Sequence, residues 1–214
     1  TCESVRAAIM TAPRFQRRKE DRPAEITEAA MHTFAEKGYA STRVEEVARR
    51  AGVSKGLLYL YFRTKEDLFK AVIRSFVSPR LDALIEMIET TELSAEAFLR
   101  GPFLEFAKSV PHTPARMLVR LLVAEGPKHP DRIAWYWENV VSRGLGAIRS
   151  IIEKGVGNGE FRESALDDFP HLLVSPVIFS MLWKQLFEAH APMDTDAFFE
   201  GHIDLLLNGI RNPS

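Results

Sequence analysis

Residues 38–62 read Gly38-Tyr39-Ala40-Ser41-Thr42-Arg43-Val44-Glu45-Glu46-Val47-Ala48-Arg49-Arg50-Ala51-Gly52-Val53-Ser54-Lys55-Gly56-Leu57-Leu58-Tyr59-Leu60-Tyr61-Phe62, followed by RTKEDLF at 63–69. Thr42 to Glu45 spells T-x-x-E, a capping box that opens a helix with Val44, Val47, Ala48 and Ala51 on one face. Gly52 stops that helix, and Ser54 caps the next. Two short helices joined by Gly52-Val53-Ser54 form a helix-turn-helix pattern. Thr64 caps a further helix, with Glu66 and Asp67 suited to its N-terminus. Its apolar stripe is Leu68, Phe69, Val72, Ile73 and Phe76.

On a 100° wheel, SKGLLYLYF divides into two faces. Leu58 and Phe62 are four apart and predict a core face, with Tyr61 at its edge. Gly56 and Leu60 point the other way, flanked by Leu57 and Tyr59. A glycine, two leucines and a tyrosine suit water poorly but suit a DNA major groove. Glycine permits close backbone approach, leucines meet thymine methyls, and tyrosine reaches a phosphate or a base edge. Lys55 is placed to reach guanine or phosphate. Lys65, beside a helix N-terminus, is placed to clamp a phosphate.

Upstream, PAEITEAAMHTFAEKG spaces Ile26, Ala29, Ala30 and Phe34 for a helix from Pro23 to Gly38. Pro79 marks a kink or boundary. Five further helical stretches follow at about 93–110, 114–126, 129–156, 167–190 and 194–210. Period-2 alternation is missing, so the expectation is an all-α chain of about nine helices, with a three-helix head and a larger helical body. The 46% hydrophobic content allows a sizeable core, and the 27% charged content does not suggest disorder. No apolar run approaches the ~18 residues of a membrane span. The start of the chain carries no secretory pattern, and a single cysteine, Cys2, cannot make an internal disulfide. A cytoplasmic protein is the expectation.

Net charge is −1, but it is unevenly spread. Residues 1–80 hold 16 Lys and Arg against 10 Asp and Glu, while 81–214 hold 12 against 19. A basic front and an acidic remainder suggest that the front alone meets a polyanion. Arg14, Arg17, Arg18, Lys19 and Arg22 read either as a flexible arm reaching DNA or as a solvated tail over 1–21.

GYASTRVEEVARRAGVSKGLLYLYFRTKEDLF resembles the DNA-binding domain of the TetR family of bacterial transcriptional regulators over about residues 22–75. The residues that carry the likeness are Gly38-Tyr39, Thr42, Ala51-Gly52-Val53-Ser54, Tyr59-Leu60-Tyr61-Phe62 and Lys65-Glu66-Asp67-Leu68. The resemblance implies a head over 22–78, with its motif at about 43–62. The implied body over 79–214 encloses a small-molecule pocket and dimerises through its last two helices. Ligand binding would then release operator DNA. Thr42, Lys55, Gly56, Leu57, Tyr59, Tyr61 and Lys65 become the DNA-facing set, to which the wheel adds Leu60. Leu57 stands where the family commonly has a small or polar residue.

The body carries no local motif of its own. Phe103, Phe106, Met117, Leu121, Trp135 and Phe179 are candidate pocket walls, or else plain core. Tyr136, His171 and Gln185 are polar groups that would orient a ligand there. The last two helical stretches are apolar nearly all round and need two partners. Leu172, Val174, Phe179, Leu182, Leu186, Phe199, Leu206 and Ile210 are therefore interface candidates, with a large monomeric core as the alternative. The six histidines form no metal-ligand spacing, and there is no P-loop, G-x-S-x-G or G-x-G-x-x-G. No cofactor, metal or catalytic residue is expected. The expected function is a homodimeric, ligand-responsive regulator, a repressor at a pseudo-palindromic operator, with an apolar or aromatic effector. An all-α small-molecule enzyme with an accessory DNA-binding head is the rival. A non-specific architectural protein fits the acidic body less well.

Overall fold

The computed structural model describes residues 14–212 and divides the chain into two units, residues 1–75 and 76–214. Among the described residues the architecture is helical throughout, apart from one isolated antiparallel bridge between Phe161 and Arg211.

The head is built from α1 (Arg14–Lys37), α2 (Val44–Arg50), α3 (Lys55–Tyr61) and the start of α4 (Lys65–Phe76). Its core is one apolar cluster. Ile26, Ala30 and Phe34 of α1 are buried together with Val47, Leu58, Leu68, Val72 and Ile73. The spacing of each helix delivers these residues to a single side. Tyr39 bridges the group, with its ring 5.3 Å from Phe34 and 5.6 Å from Phe69. Gly38 and Gly52 both adopt the left-handed region, at φ 80° and 65°, where a side chain would be strained. These two positions turn the chain into and out of α2.

Two boundaries differ from expectation. Helix α1 starts at Arg14, and Pro23 lies inside it. Proline removes one amide donor there without ending the helix. Arg14, Arg17, Arg18, Lys19 and Arg22 are thus on a helix rather than on an arm. Residues 1–13, including Cys2, lie outside the described residues. Past the head, Pro79 stands in the first turn of α5 (Ser78–Thr90), a helix that the sequence reading passed over. Leu81, Leu84 and Ile88 are its buried stripe, and Pro79 starts the helix where its missing N–H costs nothing.

The body continues with α6 (Ala95–Phe98), a π-turn at Leu99–Phe103 containing Pro102, and α7 (Leu104–Ser109). Next are α8 (Ala115–Glu125), α9 (Pro130–Tyr136), a second π-turn at Trp137–Val141 and α10 (Ser142–Gly157). The chain closes with α11 (Ala165–Asp168), α12 (His171–Leu186) and α13 (Thr195–Ile210). Phe98, Leu99, Phe103, Ile148, Phe161 and Leu207 are among the fully buried residues of a single core. Gly155 makes one approach possible, since a Cβ there would lie 2.2 Å from the Phe161 ring. The end of the chain is fastened beside it. Arg162 N donates to Ile210 O at 2.8 Å, and the Glu160 carboxylate accepts from the Ala95 and Glu96 amides at 3.1 Å, capping α6. Burial pushes Glu160 up, but those two amides outweigh it and hold the carboxyl below its usual range.

Candidate nucleic-acid interface

Helix α3 is short because Ser54 opens it, accepting from Leu57 N at 3.1 Å, and the extended backbone of Phe62 closes it. Leu58 is fully buried and Phe62 nearly so, which fixes the rotation of the helix. The opposite face carries Leu60 at 74% exposure, Tyr59 at 38%, and exposed Lys55 and Gly56. Leu57 and Tyr61 are half-buried flanks, with the Tyr61 ring 6.5 Å from Phe62. A Cβ built on Gly56 meets nothing within 4 Å. The head's own packing therefore does not require glycine at that position.

Two expected DNA-facing residues are engaged elsewhere. Thr42 is buried, and its hydroxyl donates to Gly38 O at 2.7 Å and Thr33 O at 3.3 Å. It faces into the head, away from solvent. The cap of α2 falls one residue later than T-x-x-E suggested, with Glu46 accepting from Arg43 N at 3.2 Å. Lys65 is half-buried, and its ammonium donates to Ala40 O at 3.1 Å and Thr42 O at 2.8 Å. It also lies 4.4 Å from the Tyr39 ring centre. Those contacts tie α4 to the turn before α2, so Lys65 is a fastener rather than a free phosphate clamp.

Lys55 is held as well. Its ammonium pairs with Glu45 and lies 5.8 Å from the Tyr59 ring centre. The Glu45 hydrogen bond holds the lysine above its ordinary range, and Lys55 in turn holds Glu45 below its own. Other head cations pair too: Arg50 makes a two-pronged bridge to Glu36 at 2.7 and 2.6 Å, and Lys37 meets Glu46 at 2.6 Å. Arg43 and Arg63, flanking α2 and α3, are exposed and make no ion pair among the described residues. Arg43 is the N-cap of α2, and Arg63 follows the C-cap of α3.

In the body, Phe103 and Leu121 are sealed in the core, while Phe106, Met117 and Trp135 are half-buried. Phe179 is 47% exposed, with its ring tilted against Trp183 and Phe198 at 5.6 and 5.7 Å. Burial pushes the Tyr136 phenol up to about 12, while His171 and Gln185 are exposed. An open apolar crevice of about 690 Å³ lies between α8 and α9, walled by Leu122, Val123, Ile133 and Trp137. Its walls include none of the expected pocket residues. Of the interface candidates, Phe199 and Ile210 are buried in the body's own core. Leu172 and Leu186 are exposed, and Val174, Leu182 and Leu206 are partly buried. Ile178, Phe187 and Leu205 are exposed as well.

The model of the bacterial regulatory proteins of the tetR family matches residues 26–72, the segment that builds this head. Residues 26–72 are a TetR-family DNA-binding domain. The chain is a helix-turn-helix transcriptional regulator. Similar proteins include the uncharacterized HTH-type transcriptional regulator YfiR of Bacillus subtilis, 29% identical over 146 residues, or 67% of this chain and 70% of that one. The HTH-type transcriptional repressor KstR2 of Mycolicibacterium smegmatis is 22% identical over 201 residues, or 93% of this chain and 95% of its own. The fold of this chain is shared with the fatty acid degradation regulator FadR from Bacillus halodurans. That match has a TM-score of 0.71 at 21% identity, over 88% of this chain and 99% of that one. No helix among the described residues is long and apolar enough to cross a membrane.

Proposed function

We propose that the protein is a dimeric repressor whose α3 reads successive major grooves of a pseudo-palindromic operator and which an apolar small molecule releases. The observation that carries this reading is the face of α3. Leu60 is 74% exposed beside Tyr59 and the open space over Gly56, an arrangement that water disfavours and a groove rewards. Leu57, Tyr59 and Leu60 are assigned to base edges and methyls, Lys55 and Tyr61 to bases or phosphate, and Arg43 and Arg63 to phosphate. Lys65 and Thr42 hold the turn that presents them.

The dimer is assigned to the uncovered apolar faces of α12 and α13, through Leu172, Phe179, Leu186 and Leu205. The effector is assigned to the body, and the crevice between α8 and α9 suits a hydrocarbon-rich molecule. A relative in the fold is named for fatty acid degradation, which favours acyl compounds as the first to try. No catalysis is assigned to the body. The test is to select duplexes from a random library with the purified protein. The selected site should be two-fold related and bound by a dimer, and a panel of acyl compounds should weaken its binding. Selection of no common sequence would overturn the reading.

A further inference from the structure

Glu45 is not the acid that closes the capping box of its helix, although its carboxylate also accepts from its own amide. Glu46 takes that role, accepting from Arg43 N at 3.2 Å and from Lys37 Nζ at 2.6 Å. Glu45 therefore keeps an exposed carboxylate in the first turn of α2, and it uses that carboxylate on Lys55, the first residue of the reading helix. The same lysine lies 5.8 Å from the ring centre of Tyr59. An acid, a cation and an aromatic ring thus form a row at the edge of the reading face. A carboxylate there is unfavourable for a protein that meets a polyanion, since any backbone phosphate near Lys55 is also near Glu45.

We propose that Glu45 is a specificity-determining residue: it holds the Lys55 ammonium in the free head and withholds it from the phosphates of non-operator DNA. The proposal rests on the DNA-reading assignment of α3. Non-specific affinity comes from cations that neutralise phosphates and release counterions, so a lysine already neutralised by its own carboxylate adds little to it. At the operator, a base edge such as the guanine O6 and N7 pair offers Lys55 a directional acceptor that competes with Glu45. The exchange is close to neutral at the right base and unfavourable elsewhere. Specificity is then gained by lowering the background, with no increase in operator affinity. Both pKa directions agree with the pairing, since Lys55 is raised and Glu45 lowered by the shared hydrogen bond.

The test uses the full chain, a random-sequence duplex and a duplex selected from a library, each titrated at several salt concentrations. Glu45→Gln should raise affinity for the random duplex roughly fivefold, the effect of one unit charge a few ångströms away in water. It should steepen the salt slope by about one counterion. Affinity for the selected duplex should change less, so the specificity ratio falls. Lys55→Met, measured in parallel, should weaken the selected duplex more than the random one and reduce the effect of Glu45→Gln in the double variant. An unchanged random-duplex affinity in Glu45→Gln, with Lys55→Met still weakening binding, sinks the role of Glu45 alone. Weaker operator binding by Glu45→Gln would mean that the carboxylate itself reads a base, which also overturns it. If Lys55→Met binds both duplexes like the parent, the assignment of Lys55 to DNA fails along with it.

Discussion

Exposed apolar side chains occur in both units, but in different company. In the head, Leu60 stands out beside Tyr59, with Lys55 and its partner Glu45 at the edge of the same short helix. In the body, Leu172, Ile178, Phe179 and Leu186 recur along one 16-residue helix, Phe187 follows at its C-cap, and Leu205 adds to them from the next helix. A mixed patch of charge, ring and methyl suits a partner whose surface is polar with apolar spots, as a DNA groove is. A broad and mainly apolar patch suits a partner like itself. The two kinds of exposure are the ground for proposing a DNA surface on the head and a subunit surface on the body.

The largest effect that would break this contrast is a charge placed in the body's patch. Leu205→Glu should cost the dimer about 3–5 kcal/mol for an unpaired buried charge, leaving monomers in sedimentation at micromolar concentration. Because Leu205 is 76% exposed within its own unit, the variant should melt no earlier as a monomer than the parent unit does. A dimer of parental affinity would remove α13 from the interface.

In the head, Tyr59→Ala should weaken operator binding by about 1–3 kcal/mol and relax the preference at one base position. Binding to random duplex should change little. Equal weakening on every sequence would instead make Tyr59 a phosphate contact.

A paired comparison separates cations that serve DNA from those that serve the fold. Arg63→Ala should reduce the salt slope by about one and leave the melting temperature alone. Lys65→Ala should lower the melting temperature, because the Ala40 and Thr42 carbonyls lose their donor. The reverse outcome would return Lys65 to the phosphate clamp expected from its place at a helix start.

The smallest effect concerns pH. Burial depresses His202, against the opposing hydrogen bond to Leu172 O at 2.9 Å, so the folded protein disfavours its charged form. A depressed folded pKa contributes stability that is present above the ordinary value of 6.5 and is lost as pH falls through the lower folded value. Thermal melts should therefore show the body softening below pH 6.5, and His202→Asn should flatten that dependence. An unchanged slope in the variant would assign the effect to another group.

Much of the head was legible because turn chemistry and packing agree there. Gly52 at positive φ, the Ser54 cap, and Leu58 and Phe62 four apart all specify the same rotation of α3. Thr42 was misjudged for a specific reason. Two adjacent glutamates let T-x-x-E and R-x-x-E compete, and the winner is set by the distant carbonyls of Thr33 and Gly38 that take the threonine hydroxyl. The engagement of Lys65 was equally hidden, since its acceptors lie more than twenty residues away in sequence. In the body, periodicity identified the helices but not their inner faces. A helix apolar nearly all round offers two candidate stripes, and only packing buries Phe199 and Ile210 while leaving Leu205 outside. The crevice between α8 and α9 depends on how the chain turns at Gly126–Lys128, which no residue pattern announces.

The Lys65 bridge also has a mechanical consequence. Two hydrogen bonds and a ring contact weld the first turn of α4 to the segment carrying Ala40 and Thr42, and the reading helix lies in the chain between the two welded pieces. A torque on α4 thus has little slack in which to dissipate at its N-terminal end. The expected consequence is that the reading helix turns with α4, and that cutting the Lys65 bridge loosens this joint.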